Sequence, residues 1–260
     1  MKRGDVAGTE TVEALEARMP FRFPREMVIG LVLLAVAWEI ASYFVPPFVV
    51  PGWGRIFGAL AGLPLQYVAV TLARVAVALV LSFVLGLLLA VAMYGSDRVE
   101  RYGRPIVRLL MAVPVVCWIL FAVLWFRWVE FRIAFVLVVV CGPVFLVDFL
   151  DAMKGVSREL RDMLRSFRPS RTQFLTKLVL PATLPTILTS WKINLSLAIR
   201  VVTIAELVGA VSGIGYGLVV AQELFSVAEV FAWTLVLVAV LFVAEAVLTA
   251  VEGRMLRWRT

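Results

Sequence analysis

Charged side chains stand inside long apolar stretches of this 260-residue chain: Arg74, Lys192, Arg200 and Glu206, with Glu39 and Asp148 as further membrane-associated carboxylates. A charge within hydrocarbon costs roughly 2.5–3.5 kcal/mol on insertion scales, so each must pair, reach the interface or face water. Their chemistry is not that of an enzyme. The chain has no histidine, which removes imidazole from any acid–base or metal scheme. Cys117 and Cys141 lack metal-like spacing and lie in apolar stretches, where buried, reduced thiols are expected. Gly213, Gly215 and Gly217 do not fit G-x-G-x-x-G and follow no strand, and no G-x-x-x-x-G-K-[ST] occurs, so ATP is not bound through a Walker loop of this chain.

The stretch around Arg200 is the most polar, with Trp191, Lys192, Asn194, Ser196, Thr203 and Glu206 in an otherwise apolar helix. Such a helix suits the lining of a path. Two readings of Arg200 stand open: a structural pair with Glu39 or Asp148, or a water-filled path used by an anion. Asn194 and Ser196 serve a path or interhelical hydrogen bonds equally well. Arg74 lies a turn or two from the outer end of its own stretch, where it snorkels, pairs or faces water. Gly209-x-x-x-Gly213 permits close helix approach.

These residues are held by membrane-spanning helices. Of the residues, 62% are apolar and 17% charged, far from the soluble balance. A span needs about 20 apolar residues to cross about 30 Å of hydrocarbon. By that length we expect an all-α, polytopic protein with six spans, at 27–45, 67–94, 105–126, 133–150, 184–210 and 230–251. Pro114 and Pro143 are candidate kinks. The segment FVVPGWGRIFGALAGLPLQ suits a short helix in the outer interface. With the N-terminus inside, the outer loops hold only Arg55, Arg127 and Arg132. The remaining loop and terminal cations fall inside, so both termini are expected in the cytoplasm. Topology thus explains the net charge of +7 with no nucleic-acid partner. Residues 1–26 lack the pattern of a cleaved signal peptide, and residues 252–260 form a basic tail.

The longest polar interruption, residues 151–183, reads as two short amphipathic helices broken at a turn. Leu160, Met163, Leu164 and Phe167 fall at i, i+3, i+4, i+7, opposite Arg158, Arg161, Asp162 and Arg165. Arg168-Pro169 stops the first helix. Ser170 and Gln173 have the spacing of a capping box, and Phe174, Leu175, Leu178 and Val179 form a stripe before Pro181 and Pro185. The element is expected to dock on a protein partner or lie on anionic lipid.

Taken together, this pattern resembles the permease subunit of type I ABC importers, in the branch handling nitrate, sulfonates, taurine or bicarbonate, over about residues 45–259. The similarity is strongest in ELRDMLRSFRPSRTQFLTKLVLPATLPTIL, which resembles the family's EAA loop with its terminal L-P-x-x-x-P, here Leu180, Pro181 and Pro185. FVVPGWGRIFGAL, VLWF at 123–126, AELVGA at 205–210 and SGIGYGLVVAQ at 212–222 match in order. Asp162-Met163-Leu164 stands where the family has Glu-Ala-Ala, and Arg168 where its turn has a glycine.

The resemblance implies a transmembrane permease domain over 27–251 with no chemistry of its own, in the cell inner membrane. It further implies a dimer with itself or a paralogous permease, two ABC ATPase subunits carrying ATP and magnesium, and a periplasmic or lipid-anchored solute-binding protein. Leu160, Arg161, Asp162, Met163, Leu164, Arg165, Phe167, Arg168, Pro169, Ser170 and Gln173 would then form the ATPase-coupling element. An ion-coupled secondary transporter is the alternative, which predicts inverted repeats; no convincing repeat is present.

Overall fold

A computed structural model describes residues 25–167 and 169–255. Its regular elements are helical throughout the described residues. Helix α1 (Arg25–Phe44) leads into the short α2 (Trp53–Ala61). Glu39 explains the join: its Oε2 accepts from the Trp53 amide at 2.9 Å, satisfying an orphan donor at the start of α2. The Trp53 indole donates to the Ala35 carbonyl and the Trp38 indole to that of Pro51, each at 3.0 Å. Glu39 is therefore a capping residue and not a partner of Arg200.

Helix α3 (Gln66–Gly95) crosses the molecule, and α4 (Asp97–Ala112) and α5 (Val115–Trp125) follow. The span expected at 105–126 is broken. The two helices meet at 92°, because Pro114 forces Val113 out of the α region to φ −75°, ψ 125°. Amphipathic α4 begins well before residue 105 and carries Arg98, Arg101 and Arg108 on exposed positions. Helix α6 (Val129–Gly155) is unbroken, with Pro143 inside it. Glu100 ties α4 to the end of α6, accepting from Arg104 at 2.6 Å and Lys154 at 2.5 Å.

Helix α7 (Arg158–Ser166) and the four-residue α8 (Arg171–Phe174) come next. The second helix of the loop is not a short element separate from the span expected at 184–210. It runs on as one helix, Thr172–Leu207, through a π-helical segment, Leu175–Val179, into α9 (Leu180–Leu207). A proline ring clashes with the carbonyl four residues back in an α-helix. The wide turn, with the Leu180 amide bonded to the Leu175 carbonyl, precedes Pro181 and accommodates that crowding. Helices α10 (Ile214–Glu223) and α11 (Val227–Met255) complete the described chain.

Among the described residues, α3, α6, α9 and α11 are long and apolar enough to cross a membrane; the bent α4–α5 pair makes a fifth crossing if counted as one, and Val28–Phe44 is a shorter apolar helix. The core lies between α3, α6 and α9, around Ala78, Leu79, Phe145, Phe149, Ala198 and Val202. Helix α11 buries only Ala232 and Trp233, so it is peripheral.

Candidate functional site

Helix α7 starts where Ser157 accepts from the Leu160 and Arg161 amides. Its apolar face is turned outward: Leu160 and Met163 are exposed, Phe167 is 78% exposed and Leu164 is half-buried. This face is not used up against the chain's own spans. Asp162 is exposed and Arg161 half-buried. The capping box forms as spaced, with the Gln173 amide donating to Ser170 Oγ at 3.2 Å and the Ser170 amide to Gln173 Oε1 at 3.0 Å. Pro169 is half-buried at the turn. Arg168 lies outside the described residues, as do the side chains of Arg158, Arg165 and Arg171.

Inside the bundle the charged residues separate into two groups. Arg74 is 8% exposed and makes five hydrogen bonds. It grips Glu130 in a bidentate pair at 2.9 and 2.6 Å, Glu206 at 2.7 Å, and the Ser212 carbonyl and hydroxyl at 2.7 and 3.1 Å. All five guanidinium donors are therefore satisfied. Glu206, 1% exposed, also accepts from Thr71 at 3.0 Å and from the Gly215 amide at 2.9 Å, while Thr71 accepts from the Ile214 amide. Buried charges of this kind need such complete pairing. Arg74 does not snorkel, and Glu206 and Arg74 lie closed inside the fold rather than open to a path in this structure.

The network explains the glycines that follow. Gly213 has φ +110°, and a Cβ there would lie 2.3 Å from Glu206 Oε1. Gly209, at φ +139°, sits in the same turn, its carbonyl bonded by Arg132 at 3.1 Å. Gly209 and Gly213 thus build a turn around a carboxylate, not a helix-packing stripe.

Arg200 differs. It is exposed and makes no hydrogen bond or ion pair among the described residues. The structural partners proposed for it are engaged elsewhere, Glu39 at α2 and Asp148 with Ser190 Oγ at 2.5 Å. Lys192 is ion-paired with Glu252. Arg200 lies on a stripe of α9 formed by Thr186, Thr189, Ile193, Ser196, Arg200 and Ile204, exposed apart from the half-buried Ser196 and spaced by three or four residues. Asn194, fully buried, donates to the Ser190 carbonyl, and Thr203 donates to that of Ile199. Both lie behind this face.

The sequence profile of the family described as "Binding-protein-dependent transport system inner membrane component" matches residues 82–257. The chain belongs to this family. It is 28% identical to the formylaminopyrimidine transport permease protein ThiX of Halalkalibacterium halodurans, over 90% of this chain and 96% of that relative. It is 27% identical to the taurine transport system permease protein TauC of Escherichia coli, over 93% and 94%. Among solved structures, an inward-facing form of the MetNI methionine ABC transporter superposes with a TM-score of 0.64 at 18% identity, covering 75% of this chain and 95% of that one. That similarity shows the fold alone. The chain is an integral-membrane permease component of an ABC importer for small solutes.

Proposed function

We propose that two permease subunits, identical or paralogous, stand in the cell inner membrane with their termini and residues 151–183 in the cytoplasm. Two ABC ATPase subunits hold ATP and magnesium there, and an external solute-binding protein delivers the solute. No cofactor is assigned to this chain. Helix α7 presents Leu160, Met163, Leu164 and Phe167 to a groove on the ATPase, with the basic face of Arg158, Arg161 and Arg165 steering an acidic rim. Closure of the ATPases moves α7 and rocks the spans between inward and outward access.

The solute is a small anion that passes along the Thr186–Ile204 face of α9. The observation that carries this reading is the exposed, unpaired Arg200 beside Ser196, because an unpaired cation at that depth is stable only against water or an anion. Asn194 and Thr203 support that face from behind. Replacing Arg200 with Gln should abolish or strongly weaken uptake of a delivered anion while the ATPase subunits still co-purify. Unchanged uptake would remove the anion reading.

A further inference from the structure

At the end of the bundle opposite residues 151–183, a cavity of about 360 Å³ opens between α2, α3, α10 and α11. It is lined by Tyr67, Tyr216, Trp233 and Glu229, and Gly58 and Gly62 leave room where side chains would fill it. Tyr67 stacks on Trp233, with centroids 5.9 Å and planes 23° apart, and meets Tyr216 edge-on at 5.7 Å and 77°. Trp233 is 2% exposed. It presses so closely on Gly217 that a Cβ there would stand 2.4 Å from its ring, so the aromatic wall is pre-formed. Glu229 is half-buried, and its carboxylate has no hydrogen bond or ion pair among the described residues. No Lys or Arg lines the cavity. A helix N-terminus favours an acid by itself, but it does not call for two half-buried tyrosine rings, backed by the buried Trp233, beside an unfilled volume.

We propose that this cavity binds an organic ammonium group clad in apolar carbon, such as a methylated amine. Aromatic faces attract a cation lying within about 6 Å of the ring centre, most strongly where water is excluded. Glu229 supplies the counter-charge and repels anions. A bare metal cation finds only one carboxylate there, far short of an oxygen cage. The site is separate from the Arg200 face and of opposite sign. Its ammonium group comes from a free solute or from the ethanolamine headgroup of a lipid.

The test uses the full chain in nanodiscs of phosphatidylglycerol, with tetramethylammonium as probe and saturation-transfer NMR on its methyl signal. Wild type should bind saturably, and Glu229→Gln should weaken binding by about tenfold, the scale of a desolvated cation–aromatic and charge contact. Tyr216→Leu, which leaves the start of α11 untouched, should weaken it as well and serves if Glu229→Gln does not fold. Repeating the titration in discs containing phosphatidylethanolamine separates the two sources: lost binding of the probe assigns the site to the headgroup, and retained binding to a free solute. Unsaturable transfer, binding unchanged in both variants, or equal binding of methanesulfonate overturns the proposal.

Discussion

Arg74 and Arg200 are both arginines in apolar stretches, and the fold treats them in opposite ways. Arg74 has every donor satisfied by Glu130, Glu206 and Ser212, whereas Arg200 is exposed on α9. Removing one partner of a buried pair strands the other, at about 3–5 kcal/mol. Arg74→Ala should therefore sharply lower the temperature at which the detergent-purified chain loses its monodisperse elution peak. Arg200→Gln should leave that temperature nearly unchanged, within about 0.5 kcal/mol of stability. Gly213→Ala should behave like Arg74→Ala, since its Cβ would collide with the Glu206 carboxylate. The sequence left Arg74 to snorkel, pair or face water, and named no partner for it. Glu206 is 132 residues away and Glu130 is 56, and long-range pairing leaves no local pattern. The turn chemistry of Gly213 was equally hidden, because the Glu206 carboxylate that crowds it is held in place by Thr71 and Arg74 from a distant helix.

At the scale of elements, local signals were the legible ones. The Ser170–Gln173 capping box, the apolar face of α7 and the spans over α3, α6, α9 and α11 follow from spacing and hydropathy within one segment. Proline was harder to place. Pro114 breaks its helix at 92°, whereas Pro143, Pro181 and Pro185 are carried within long ones, with a π-helical turn at Leu175–Val179 preceding Pro181. Proline type and spacing alone do not distinguish these outcomes. Ser170→Ala removes one arm of the cap and should weaken the start of α8 by about 1 kcal/mol. Faster proteolytic cleavage near residues 167–172 would report it.

For the whole molecule, two of the surfaces left uncovered by the described core bear on function: the α9 stripe that carries Thr186, Thr189, Ser196 and Arg200, and the apolar face of α7. If the α9 stripe faces water within the assembled importer, Thr189→Cys and Ser196→Cys should react with a charged, membrane-impermeant thiol reagent. Val243→Cys, exposed on the apolar surface of α11, should not. The resemblance in residues 151–183 implies the coupling role proposed for α7, and its exposed Met163 and Phe167 give the most direct test. Complexes would be purified through a tag on this chain, and their ATPase content and ATP hydrolysis compared between wild type and the Met163→Asp, Phe167→Asp double variant. The account predicts loss of the ATPase subunits, or of hydrolysis coupled to the solute-loaded binding protein, with the permease itself still monodisperse. Full ATPase content with unchanged coupled hydrolysis would contradict it.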